Sequence, residues 1–289
     1  MLNQGQVEAY LNCLGIMKIQ PPAKEFLFKI HKAHVKKFSW QTVDIFAGKA
    51  KPIDVQNSIN LMLEGKSGYC FHLNGAFSEL LRSLGYKVTM HRAGVQSHGA
   101  KPHINSTHLG LVVHLLNESS FEERWIVEVG LGDMIYEPFP LETGSYTQGV
   151  FTYRVEDSKV ADGGWRLVHD PQASFAGVDF GADPVFDILA FQPNHHHLSK
   201  SPDSHWVNLS IAKNRDARGS NQLIGCVFTE HNETGIRKTE VVEKPRWFEV
   251  LRDVFGLRFQ DYTQMERDEL WRRVIELHEV WKKAHSQEI

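Results

Sequence analysis

An α+β fold follows from three observations on the 289-residue sequence. Residues 1–85 carry apolar side chains at three- and four-residue steps, the spacing of helix faces. Residues 86–198 break into short alternating or β-branched runs with turn formers between them, which suggests a small antiparallel β-barrel. Residues 199–289 offer two strand-like runs followed by two helical ones. We therefore expect an N-terminal helical bundle, a central barrel and a closing α/β unit.

The elements can be justified in order. Residues 7–14 read as a short helix stopped by Gly15, and Pro21-Pro22 opens a second with Phe26, Leu27, Ile30 and Ala33 along one side. Residues 58–63 add another short helical stretch. Lys66-Ser67-Gly68-Tyr69-Cys70-Phe71-His72-Leu73-Asn74-Gly75 then runs from a loop into a helix whose Leu73, Phe77, Leu80, Leu81 and Leu84 share one face, ended by Gly85. Residues 87–95 read as a strand and 96–106 as a polar loop. Strands at 107–116 and 124–129 are joined by Asn117-Glu118-Ser119-Ser120, a hairpin-like turn, and shorter ones are expected at 151–155 and 165–169. Residues 170–202, rich in Pro, Gly, Asp and His, read as an irregular boundary segment. Strands at 206–212 and 223–230 precede a helix over 247–255 and another from Thr263, where Glu266 completes a capping box, to residue 285.

Composition narrows the class. A hydrophobic share of 42% and a charged share of 23% describe an ordinary soluble domain. A formal net charge of −3 argues against general nucleic-acid binding. Cys13, Cys70 and Cys226 are scattered without a C-x-x-C pair, so no disulfide framework is expected and a reducing compartment fits. The first residues lack the layout of a signal peptide, and no apolar run reaches membrane-spanning length. A cytoplasmic protein without a membrane partner is the expectation.

Three stretches carry chemistry. Cys70 falls in the first turn of its helix, where free N–H groups and the helix dipole favour an anion; a thiolate there would be nucleophilic. The alternative is a small apolar residue buried at a helix start. His108 heads the apolar run Leu109-Gly110-Leu111-Val112-Val113, and Glu128 stands among Ile126, Val127 and Val129. A carboxylate in such surroundings is costly unless paired, and histidine is its natural partner. Cysteine, histidine and acid then supply nucleophile, base and orienter. Asp133, in the turn after Gly132, competes for the acid role but reads as a surface residue.

The Gly-Tyr-Cys-Phe-x-Leu-Asn core, followed by Thr107-His108 opening one strand and Glu128-Val129-Gly130-Leu131-Gly132 closing the next, resembles the arylamine N-acetyltransferases. The resemblance extends from Tyr10-Leu11-Asn12 to Ser201-Pro202-Asp203-Ser204-His205-Trp206-Val207-Asn208. It implies a cysteine-protease-like core: a bundle (1–85) carrying the nucleophile, a barrel (86–198) carrying His108 and the acid, and an α/β lid (199–289). It further implies acetyl transfer from acetyl-CoA to an arylamine or hydrazine through an acetyl-cysteine, ping-pong, with no metal, by a monomer or homodimer. Cys70, His108 and Glu128 would be catalytic, with Glu128 accepting Nδ1–H of His108. Thr107, Gly130, Leu131 and Gly132 would contact CoA. The oxyanion would need the backbone N–H of Cys70 or its neighbour. A cysteine hydrolase of transglutaminase type, or a non-catalytic ligand-binding relative, remains the alternative.

The chain departs from the family pattern at informative places. Glu128 stands where Asp is usual, and Lys66, Ser67 and His72 replace Arg, Gly and Glu; Gln41 replaces an acid in the stretch Ser39-Trp40-Gln41-Thr42. If positions 41 and 66 pair, losing the carboxylate removes the reason for a guanidinium. Leu131 replaces an aromatic wall common in the family. Lys213, Arg215 and Arg218 read as loop cations near the lid, and His195-His196-His197 as solvated loop histidines rather than metal ligands.

Overall fold

The computed structural model describes residues 1–117 and 119–285, so Glu118 of the expected hairpin turn lies outside the described residues. Helices α1 (Gln4–Cys13) and α2 (Lys24–Lys37) lead to a two-residue strand β1 (Trp40–Gln41), a single helical turn α3 (Val43–Phe46), α4 (Val55–Leu63) and α5 (Cys70–Ser83). From Cys70 to Leu81 every residue of α5 is buried, so this helix forms the axis of the first core. Its face and the bundle helices pack with one side of β2 (Lys87–Gln96), β3 (His108–Leu116) and β4 (Glu122–Val127).

After β4 come β5 (Phe139–Pro140), β6 (Gly144–Gln148), β7 (Phe151–Asp157), β8 (Trp165–Val168) and β9 (Gly177–Val185). Together with β2–β4 they form an eight-stranded antiparallel, barrel-like sheet in the order β5-β4-β3-β2-β9-β8-β7-β6. Phe151, Tyr153 and Val155 alternate inward along β7, as a pleated strand requires. A register shift between His91 and Ala93 interrupts the β2–β9 pairing, a bulge of the kind that bends a sheet toward closure. The α+β expectation therefore holds, with a helical bundle ahead of a nearly closed barrel.

The segment expected to be irregular is largely ordered into elements. A 3₁₀ turn (Ile188–Phe191) leads into α6 (Gln192–Lys200), with Pro193 at its start. His195, His196 and His197 thus lie on a helix, and His195 is buried. The strand expected over 206–212 is instead a helical turn, α7 (His205–Asn208), followed by β10 (Ile211–Arg215). The Ser204 hydroxyl accepts the N–H of Trp206, a local cap that outweighs the β propensity of Trp and Val. The run 223–230 splits into β11 (Ser220–Ile224) and β12 (Val227–Asn232) at Gly225, and an exposed β13 (Gly235–Glu240) follows. These strands and β1 form a second sheet, β1-β10-β11-β12-β13. Its pairs Trp40–Lys213 and Gln41–Ala212 tie β1, which also bridges Gly68 of the cysteine loop, to the C-terminal sheet. Helices α8 (Lys244–Asp253) and α9 (Gln264–His285) cover that sheet around Trp247, and Thr263 with Glu266 forms the expected capping box. Among the described residues, no helix is long and apolar enough to cross a membrane.

Several histidines are sealed inside this frame. Burial lowers His31, His72, His91, His169 and His195 from about 6.5 to about 4. Each is neutral in the folded chain and takes a proton near pH 6.5 when unfolded. Their contribution is therefore complete above pH 6.5 and is lost as pH falls through 6.5 toward 4, where the unfolded chain binds more protons. Urea unfolding between pH 7.5 and 4.5 should show stability falling over this window. His72→Gln should reduce the slope by up to about 1.4 kcal/mol per pH unit, one proton's worth.

Candidate active site

Cys70 is the first residue of α5, with Tyr69 holding an extended backbone ahead of it. Its Sγ lies 3.7 Å from the Thr107 carbonyl. The backbone N–H groups of Phe71, Leu109 and Cys70 itself favour the anionic sulfur. Two opposing influences are larger: burial and the negative charge of Glu128 push the Cys70 thiol well above its ordinary value. The helix start alone therefore does not deliver the thiolate expected from sequence. A base must take the proton and leave a positive charge beside the sulfur.

His108 is placed for that. Thr107 and Leu109, the residues on either side of it, both address the Cys70 sulfur, one through its carbonyl and one through its N–H. The ring is fully buried, and Nδ1 has no hydrogen-bond partner among the described residues. Nε2 lies 2.7 Å from Oε2 of Glu128. This corrects the expectation that the acid would hold Nδ1–H: the carboxylate meets Nε2 instead.

Glu128 follows β4 rather than lying within it, and it is 2% exposed. Its other oxygen, Oε1, accepts from Asn74 Nδ2 at 2.8 Å and from the Gly130 N–H at 2.7 Å. Asn74 also donates to the Leu109 carbonyl at 2.6 Å and accepts the Val129 N–H at 3.1 Å. The Glu128 N–H donates to Nε2 of His31, whose Nδ1 lies 3.1 Å from the Tyr136 carbonyl. Sequence reading assigned no role to Asn74 or His31. For Asn74 a signal existed: one helical turn after Cys70, it shares that residue's face of α5.

The glycine-containing loop after Glu128 sits close against the nucleophile. A Cβ at Gly130 would meet Asn74 Nδ2 at 2.7 Å and the Cys70 Cα at 3.0 Å. The N–H groups of Val129 and Gly130 are engaged by Asn74 and Glu128, and that of Thr107 by Asn105 Oδ1. Gly132 takes φ +73°, a left-handed backbone that suits glycine, and its position is crowded by Lys213 and Trp40. Leu131 is buried in the barrel core. Thr107 is half-buried, and its hydroxyl donates to Asn105 Oδ1 at 2.6 Å.

An aromatic layer backs the loop. Trp40 and Tyr69 both pack edge-on to Trp206, and Tyr69 Oη lies 2.5 Å from His195 Nδ1. Other sequence expectations are revised by burial. Asp133 is not a surface residue: it is 4% exposed and lies 3.6 Å from the Lys213 ammonium. Lys213 and Arg215 lie on β10, and Arg215 is buried, donating to the carbonyls of Met134, Gln148, Asp216 and Gly219. Gln41 bonds Asp44 and the Ser67 carbonyl, whereas Lys66 pairs with Asp261 and Glu64; the two are not partners. Among the described residues, no group of three or more His, Cys, Asp or Glu side chains could hold a metal ion.

Comparison with known proteins adds to this geometry. A family model described as N-acetyltransferase matches residues 25–264. An arylamine N-acetyltransferase / N-hydroxyarylamine O-acetyltransferase from Salmonella typhimurium is 24% identical over 268 residues, spanning 88% of this chain and 90% of its own. Among solved structures, the Mycobacterium smegmatis arylamine N-acetyltransferase shares the fold with TM-score 0.83 at 20% identity, over 96% of this chain and 98% of that one. The Mycobacterium marinum arylamine N-acetyltransferase in complex with CoA gives 0.80 at 22% identity, over 93% and 98%.

The balance around the sulfur has a measurable consequence. With His108 present, Cys70 should be alkylated by iodoacetamide near pH 7. His108→Ala removes the proton acceptor and leaves burial and Glu128 in control, so alkylation should require pH above about 9. Mass spectrometry of the Cys70 peptide across pH reads this directly, and an unchanged profile would remove His108 as the base.

Proposed function

The chain belongs to the arylamine N-acetyltransferase family, and on that footing we propose that it moves an acetyl group from acetyl-CoA to the nitrogen of an arylamine or arylhydrazine through a thioester on Cys70. The observation that carries this reading is the buried His108–Glu128 pair, 2.7 Å apart, with the residues on either side of His108 both meeting the Cys70 sulfur.

Nδ1 of His108 takes the Cys70 proton, and the resulting imidazolium offsets the burial cost of the thiolate. The sulfur attacks the acetyl carbonyl; the bond from that carbon to the CoA sulfur breaks, and the departing thiolate takes the proton from Nδ1. An unprotonated amine then attacks acetyl-Cys70, passes its proton to Nδ1, and the carbon–sulfur bond to Cys70 breaks to give the amide. One sulfur serves two substrates in turn, which is ping-pong kinetics. A thioester formed from a thioester changes little in energy and stays reactive toward nitrogen.

The backbone N–H groups that favour the sulfur anion are also suited to a tetrahedral oxyanion. Thr107, Leu131 and Gly132 are the candidate CoA contacts. Gly130 would serve by its lack of a side chain, allowing its backbone to lie against Cys70. That the marinum relative was solved with CoA supports CoA as the acyl carrier. Because Cys70 is 2% exposed, both substrates must displace side chains that cover it.

Glu128→Gln tests the orienter. Gly130 N–H and Asn74 Nδ2 hold one side-chain oxygen, which turns the new amide nitrogen toward His108 Nε2 as a donor. That forces the proton onto Nδ1, where it blocks acceptance from Cys70. The loss in kcat/KM for aniline acetylation should reach about 10²–10⁴-fold, as for a wrong-tautomer histidine elsewhere. Incubating the wild type with acetyl-CoA and no amine should release one CoA per active site and leave Cys70 one acetyl group heavier. A steady turnover with no acetylated Cys70 would point to hydrolysis instead.

A further inference from the structure

A second site is written into the wall behind the cysteine loop. A cavity of about 270 Å³ is bounded on one side by Gly65, Lys66 and Ser67 and on the other by the C-terminal segment 256–262. Its lining holds five basic side chains and three acidic ones, an excess of two positive charges.

The acids are already occupied. Lys66 pairs with Asp261 and with Glu64 at 2.7 Å. Lys49 bonds the Asp261 carbonyl at 3.2 Å and pairs with Glu266 at 2.7 Å, outside the cavity. The Asp44 carboxylate is held by the Tyr262 hydroxyl at 2.6 Å and the Gln41 amide at 2.9 Å. That leaves Lys37, Lys51 and Arg258, which make no ion pair among the described residues. The charge of Lys51 reaches Asp261 only at a distance.

The backbone of this wall is constrained as well. Phe259, a bulky residue, adopts φ +52°, a left-handed conformation that persists only where the surroundings impose it. Here Arg267 holds its carbonyl at 2.7 Å, and the ring packs between Phe248 and Tyr262. Strain of this kind clusters at ligand sites.

We propose that this cavity binds a phosphate monoester, with Lys37, Lys51 and Arg258 taking its phosphate oxygens. A phosphate monoester carries close to two negative charges at neutral pH and three acceptor oxygens. Both suit the three uncommitted cations of the lining. A guanidinium adds the bidentate geometry that phosphate favours. The volume is near the small end of ligand pockets, roughly 300–1,000 Å³, which fits a small ester or the end group of a larger ligand. Two sources share that chemistry: a free phosphorylated metabolite and the 3′-phosphate of CoA. Only the second source rests on the proposed use of acetyl-CoA.

Isothermal titration calorimetry of the full chain with glycerol 3-phosphate, in phosphate-free buffer at low salt, tests the assignment. The wild type should bind, and Lys51→Ala/Arg258→Ala should weaken binding by about tenfold or more, since charge-assisted phosphate contacts are lost. Lys18→Ala, outside the cavity, should leave affinity unchanged. Thermal unfolding without ligand checks that the variants fold, and Arg258→Gln alone serves if the double variant does not. Equal affinity in wild type and variant, or no binding by either, overturns the proposal. Preloading with acetyl-CoA or its 3′-dephospho form separates the sources. Loss of binding with the first only assigns the site to CoA's own phosphate, and unchanged binding with both assigns it to a free ester.

Discussion

A carboxylate shut away from water holds this molecule together at its working centre. Burying an ion costs several kcal/mol unless its oxygens are fully bonded, and those of Glu128 are. Oε2 meets His108, while Oε1 takes Asn74 and the Gly130 N–H. The partners come from α5, from β3 and from the loop after β4, with His31 of α2 receiving the Glu128 N–H. The bundle and the barrel are thus joined through one acid. The same bonds that make it tolerable also fix the His108 ring.

The electrostatics follow from that arrangement. Burial and a carboxylate near the sulfur both oppose a second negative charge, so they hold Cys70 as a thiol. The thiolate–imidazolium pair proposed for turnover would therefore be a property of the cluster and not of the cysteine's position on its helix. The arrangement also accommodates glutamate where the family usually has aspartate. Glu128 lies beyond the end of β4, where the backbone has left the ladder, and the Gly130 N–H holds its outer oxygen in place.

Much of this was legible along the chain, though unevenly. The leucine and phenylalanine spacing after Cys70 predicted a helix, and that helix became the buried axis of the first core. Glu128 stood out because Ile and Val surround it, and burial followed. Asp133 and Arg215 carried no such local sign. One reads as a turn residue and the other as a loop cation, yet Lys213 and a ring of backbone carbonyls, respectively, make their burial tolerable. His195 lies in a polar triplet, and its contacts with Tyr69, 126 residues earlier, and with His72 draw it inward.

By itself the sequence determined which residues could do acyl chemistry and the class of elements that carry them, because nucleophile, base and acid are residue types and helix and strand periods are local. Only the tertiary structure decided which imidazole nitrogen meets the acid, how tightly Cys70 keeps its proton, and that Asn74 braces the carboxylate while His31 takes the Glu128 backbone N–H. Those outcomes depend on burial and on the direction of N–H and C=O groups brought together from α2, α5, β3 and the loop after β4. No stretch of chain contains that sum until it is folded.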